Sequence, residues 1–117
     1  MLCAYDGSGV RFSVLASAGG SCAALPCWST VGSRGYQYTD PLHTPLGLHT
    51  LLLKSGGEGK ATFVAVGKGV NLPAFDLPAS LPLRVQLQAK SGACWDAAYS
   101  AAGVKRSDSS RFSATSD

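Results

Sequence analysis

The first stretch that could do chemistry is a glycine-lysine loop. Residues Gly56 to Thr62 read GGEGKAT. A Walker-type phosphate cradle needs G-x-x-x-x-G-K-[ST], with the last hydroxyl on magnesium. Counting back from Gly59-Lys60 puts Lys54 where the first glycine is required, and Ala61 where the hydroxyl is required. Such a loop must also open a helix whose first amides meet the phosphate, yet the ATFVAV that follows is a β-branched run. A dinucleotide fingerprint fails too, since GEGKAT has no third glycine and no strand-loop-helix setting. The stretch reads as a hairpin turn feeding a strand.

Nucleophilic catalysis needs a Ser or Cys beside a base that a third group orients. The histidines are His43 and His49, and Asp40 lies close to His43 in sequence. Asp40-Pro41 is turn chemistry, His49 sits in a leucine run that looks like core, and no G-x-S-x-G elbow marks a serine. Glycoside hydrolysis asks for two positioned carboxylates. The sole glutamate, Glu58, lies at a turn, and the aspartates fall mostly on loops. A small hydrolase is therefore the third-ranked reading, and no catalytic residue is assigned.

The cysteines are Cys3, Cys22, Cys27 and Cys94. An even number in a small strand-rich chain suits two disulfides in an oxidising compartment; buried free thiols and zinc are the rivals. Zinc is disfavoured because Cys22 and Cys27 are spaced C-x4-C while Cys3 and Cys94 stand alone. Three connectivities are possible, and the expected one joins Cys22 to Cys27 across a short loop and Cys3 to Cys94 across the chain. No metal and no cofactor is expected.

Aromatic rings offer a different chemistry. A sugar's apolar face stacks on Trp or Tyr, and Trp28, Tyr36, Tyr38, Trp95 and Tyr99 are the candidates for such a platform. Tyr36 and Tyr38 are two apart and so share one face of a strand. The competing reading is core, because a small β-sheet domain needs large residues inside.

The elements that must hold these residues are strands. The 117 residues suit one domain, residues 1–117, and 45% hydrophobic with only 15% charged residues favours a β-rich chain over a helical bundle or a disordered one. Short apolar runs recur about every ten residues between Gly, Pro, Asp or Ser, the spacing of an antiparallel sandwich. Strands are predicted at 2–5, 10–16, 27–31, 35–39, 47–54, 60–67, 82–89 and 93–100, with a further one at 111–115. The fold class expected is all-β, an antiparallel β-sandwich of about seven to nine short strands. In LPLRVQLQAK, Leu83, Val85, Leu87 and Ala89 point one way while Arg84, Gln86 and Gln88 point the other. DGSG at 6–9 is a tight turn; it resembles the start of a calcium loop but lacks the further acids. Prolines 73, 78 and 82 make 73–82 an extended connection, and 103–117 reads as a polar tail, frayed unless Phe112 docks.

The net charge of +3 comes from basic residues scattered along the chain, which is no nucleic-acid patch. The first residues lack the basic and apolar regions of a signal peptide, and no apolar run approaches the roughly 18 residues of a spanning helix.

Taken together, LCAYDGSG, GGSCAALPCW, GYQYTD, LGLHTLLLKSGGEGKATFVAVGKGVNLP, LPLRVQLQ, ACWDAAYS and the terminal RFSATSD resemble an uncharacterised C-terminal module of large secreted bacterial proteins. The resemblance runs from Cys3 onward and carries over no catalytic residues; His43 and His49 lie outside its pattern. It implies export, a place at the end of a longer polypeptide and an accessory role. The expected function is a non-catalytic accessory domain, extracellular or at the cell surface, whose partner is polysaccharide or the cell surface. The alternative is a self-assembling structural subunit, in which a sheet edge pairs with a neighbouring copy.

Overall fold

The alternation in LRVQLQ is met by a strand on each side. The computed structural model describes residues 1–109 and 112–117. Strands β1 (Leu2–Asp6) and β10 (Cys94–Tyr99) both pair antiparallel with β9 (Leu83–Gln88), and β2 (Gly9–Val14) follows β1 through the DGSG turn, giving the order β10-β9-β1-β2. The register sets Leu2 and Trp95 opposite Leu87, Ala4 and Ala97 opposite Val85, and Tyr99 opposite Leu83. One face is thus apolar across three strands, and Leu2, Ala4, Leu83 and Leu87 on it are buried. The other face carries Tyr5, Arg84, Gln86, Gln88 and Asp96, with Arg84 bonded to both oxygens of Asp96.

A second four-stranded sheet has the order β5-β6-β7-β8, built from Trp28–Val31, Gly35–Thr39, Leu48–Lys54 and Thr62–Gly67, all antiparallel. GGEGKAT is the β7–β8 hairpin turn, as its sequence requires. The leucines of β7 do not simply alternate: a bulge between Leu48 and Thr50 brings both Leu48 and Leu51 to the buried face. Two small ribbons complete the described strands, β3 (Ser21–Cys22) with β4 (Leu25–Pro26), and β11 (Val104–Ser107) with β12 (Phe112–Ala114). The all-β antiparallel class holds, and the eight strands of the two sheets are the seven to nine expected.

The chain that length assigns to one domain divides into two compact units. Met1–Ser13 with Pro73–Asp117 forms the first, and Val14–Leu72 the second. Each unit holds one four-stranded sheet. Within the first, the proline-rich connection packs on β2, where Phe75 meets Phe12 edge-on at 6.2 Å and Asp76 pairs with Arg11. Its tail is not a loose end. Thr115 N–H donates to the Gly103 carbonyl, and the Ser100 hydroxyl donates to Asp117 at 2.8 Å. The start of the predicted last strand, at Arg111, lies outside the described residues.

The cysteines are half as expected. Cys22 and Cys27 form a disulfide, whereas Cys3 is a buried thiol and Cys94 an exposed one. Cys3 lies opposite Gln86 and Cys94 opposite Gln88, so β9 runs between them. Strands two apart are separated by about 9.6 Å, beyond the roughly 7 Å that a disulfide can bridge. The proposed Cys3–Cys94 tie is therefore corrected: the two belong to one sheet but not to adjacent strands.

Candidate functional site

Aromatic and hydroxyl side chains meet in the second unit. Trp28 on β5 lies opposite Tyr38 on β6, and Thr30 opposite Tyr36. The Trp28 and Tyr38 rings pack edge-on, 5.5 Å between centroids. The indole N–H of Trp28 donates to the Ser17 carbonyl at 2.8 Å, which ties the segment before β3 to β5. Beside this pair is a recess of about 330 Å³ lined by Ser17, Ser21, the Cys22–Cys27 disulfide, Tyr38, Asp40 and Thr44, among others.

Asp40 is the only buried charged or polar residue among those described, at 1% exposure. Both of its carboxylate oxygens have partners. One oxygen accepts the Leu42 N–H at 2.9 Å, and the other accepts the Thr44 N–H at 2.8 Å and the Thr44 hydroxyl at 3.0 Å. Burial by itself would raise its pKa, but the Thr44 and Leu42 amides, the Thr44 hydroxyl and the nearby His43 outweigh burial and hold it below the ordinary carboxylate range. The Tyr38 phenol is pushed the other way, first by burial and then by the negative charge of Asp40. Asp40 is thus an anchor for the 40–44 loop, as the Asp-Pro turn signal implies, with both of its oxygens already accepting hydrogen bonds from that loop.

The histidines do not build a triad. The His43 and His49 rings lie edge-on to each other at 5.2 Å, and the His49 Nδ1 is 2.8 Å from the Thr50 hydroxyl. The His43 backbone N–H, not its ring, reaches Asp40, and does so at the carbonyl. No bond between an imidazole and the Asp40 carboxylate is found among the described residues. Nor do those residues contain a group of three or more His, Cys, Asp or Glu placed to hold a metal. In the first unit, Asp6 is taken up by Ser8 and Arg11, so the DGSG carboxylate is a turn group.

The five predicted platform residues separate. Tyr38 is 1% exposed and belongs to the core, because Trp28 covers it across the strand pair. Trp95 and Tyr99 lie in the first unit, half-buried on the same face as Leu83 and Leu87, where strand alternation places them with the core. Trp28 and Tyr36 remain together. They are diagonal neighbours on one face of β5–β6, within reach of one ligand, and Tyr36 is 59% exposed. The sequence reading missed the recess that Tyr38 lines together with Ser17, Ser21 and Thr44. Its serines lie just before and at the start of β3 and its threonine in the 40–44 loop, so no local spacing joins Ser17 and Ser21 to Thr44.

No known family model matches the chain, and neither a curated protein nor a solved structure does. No helix among the described residues is long and apolar enough to cross a membrane.

Proposed function

We propose that this chain is a non-catalytic binding module of an extracellular protein, and that it holds a neutral carbohydrate over Tyr36 and Trp28. The observation that carries this reading is the exposed Tyr36 ring, diagonal to Trp28 and on the same strand face as Tyr38, which lines a recess edged by Ser17, Ser21 and Thr44. Stacking on the rings suits the apolar face of a sugar, and the hydroxyls suit its polar edge. A neutral ligand fits better than a charged one, because Asp40 is the one ionised group lining the recess and its oxygens are occupied. The same occupancy supports binding without chemistry. The Cys22–Cys27 disulfide suits an oxidising, extracellular setting. The sequence resemblance adds a secreted bacterial parent protein.

The test is titration of the chain with a panel of soluble neutral polysaccharides, read by calorimetry and by tryptophan fluorescence. Binding to at least one is expected, with Tyr36→Ala weakening it ten-fold or more while the circular dichroism of the sheet is unchanged. No binding at millimolar sugar, or full affinity in Tyr36→Ala, overturns the reading.

A further inference from the structure

The sheet of the second unit has two edges, β5 and β8, and the ladder fixes which backbone groups of β8 point outward. The Ser55 N–H donates to the Arg34 carbonyl, and the Asp40 N–H to the His49 carbonyl. Hydrogen-bonded pairs alternate along an antiparallel ladder, so Leu51 and Leu53 turn their backbone groups to β6 while Leu52 and Lys54 turn theirs to β8. Their partners Val64 and Thr62 are thereby used up. Beyond the bulge, the Lys68 N–H donates to the Gly47 carbonyl and continues the same phase. Phe63, Ala65 and Gly67 are left with N–H and C=O directed away from the sheet, where no described strand pairs with them.

The other edges of the two four-stranded sheets carry a device against pairing. β2 has Arg11, β10 has Asp96, and β5 is four residues long with Ser29 and Thr30 at its centre. β8 has none of these. Its six residues, TFVAVG, hold no charge and no proline, and Val64 and Val66 are 54% and 45% exposed.

We propose that β8 pairs with β8 of a second copy of this chain, antiparallel about a two-fold axis at Ala65. The strand's own order selects that occupant. In this register Ala65 opposes itself and Phe63 opposes Gly67 of the second copy, so about six outward backbone groups on each copy are satisfied at once. The Phe63 ring then stands across from Gly67, over which the Leu72 side chain lies, so the ring meets an apolar neighbour there. On the other face Val64 meets Val66 of the second copy, twice by symmetry, in the close non-hydrogen-bonded positions that favour β-branched pairs. Lys60 and Lys68 fall opposite Val70 and Thr62 of the second copy, so no like charges meet. Centring on Val64 would oppose Lys60 to Lys68 and leave Gly67 facing Ala61, beyond the strand. A shift of one residue is forbidden because it sets opposite faces against each other. The pairing leaves β5 and the Tyr36 surface free at the far edge of the sheet, and a dimer would present that surface twice.

A six-residue edge contact is smaller than the roughly 1,200 Å² of a stable interface, so a reversible dimer in the micromolar range or weaker is expected. Light scattering after gel filtration of the full chain, loaded from about 10 to 500 µM, should show monomer passing into dimer and nothing larger. A Val64→Lys, Val66→Lys double variant should dimerise at least ten-fold less. Mixing it with Val64→Glu, Val66→Glu should restore a one-to-one heterodimer, since each Lys then faces a Glu. If the charged variants lose their sheet signal, a mixture of Val64→Cys and Val66→Cys proteins, both carrying Cys94→Ser, tests the same register. The mixture should cross-link under mild oxidation at least ten-fold faster than either alone. A wild-type chain that stays monomeric throughout, oligomers beyond the dimer, a mixture that forms no heterodimer, or cross-linking independent of mixing overturns the proposal.

Discussion

Asp40 has three hydrogen bonds and almost no contact with solvent, which makes it the residue whose replacement is easiest to predict. Asparagine keeps the shape but turns one acceptor into a donor facing the Leu42 or the Thr44 amide, so Asp40→Asn should lower stability by about 2 kcal/mol in urea unfolding. Its pH signature has a definite sign. A carboxyl whose folded pKa lies below its unfolded value contributes stability above the unfolded value and loses that contribution as pH falls through the folded one. Wild-type stability should therefore decline below about pH 4. The wild-type minus Asp40→Asn difference should shrink over the same range. The difference is the informative quantity, because Asp6 under its Ser8 bonds and Asp96 under Arg84 are depressed as well. A difference constant from pH 7 to 2 would mean that Asp40 is not held ionised by its loop. Residue-scale chemistry was partly legible in sequence. The two-residue spacing placed Tyr36 and Tyr38 on one face. It could not say that Trp28 would cover Tyr38 while only Thr30 stands opposite Tyr36, since that depends on the register of β5 against β6.

Elements were the most legible scale, because alternation and turn residues are local. The runs at 35–39 and 47–54 match β6 and β7 within a residue, and GGEGKAT, which lacks the residues of a phosphate loop, is the turn between β7 and β8. Features that break alternation were not legible. The β7 bulge needs the partner strand to define it, and the β3–β4 ribbon is only two residues a side, turned by Ala23 and Ala24 at φ of 53° and 67°. Such a two-residue turn favours Asn-Gly, and an alanine in the left-handed region costs roughly 1–2 kcal/mol. Ala24→Gly should therefore stabilise the protein, by about 1 kcal/mol after the glycine's own entropy in the unfolded chain is subtracted. Gly47 calls for the reverse substitution. Its φ is +80°, and a Cβ there would stand 2.6 Å from the Leu72 backbone. Gly47→Ala should destabilise by at least about 2 kcal/mol, since neither the backbone angle nor the neighbour can give cheaply. Urea midpoints at equal slope would check both, and a stabilising Gly47→Ala would mean the 47–72 contact is absent in solution.

At the scale of the whole molecule the cysteines divide between the two units, one disulfide in the second and two thiols on flanking strands of the first. Counting cysteines made two bridges reasonable; only sheet order separates Cys3 from Cys94. The consequence is a stepwise thiol count. In the native chain, without reductant, the exposed Cys94 should react at once; unfolding in denaturant should release Cys3 as the second thiol; reduction should release the remaining pair. Closing so short a loop contributes about 2 kcal/mol by the loop-entropy relation, so the reduced protein should unfold at lower urea with its sheet content retained before the transition. Four thiols in denaturant without reductant would remove the disulfide and with it the main physical support for an extracellular setting. No thiol reacting, native or denatured, would mean that Cys3 and Cys94 are bridged after all, which β9 between β1 and β10 does not permit without breaking the first sheet. The count therefore tests the compartment and the strand order of that sheet in one measurement.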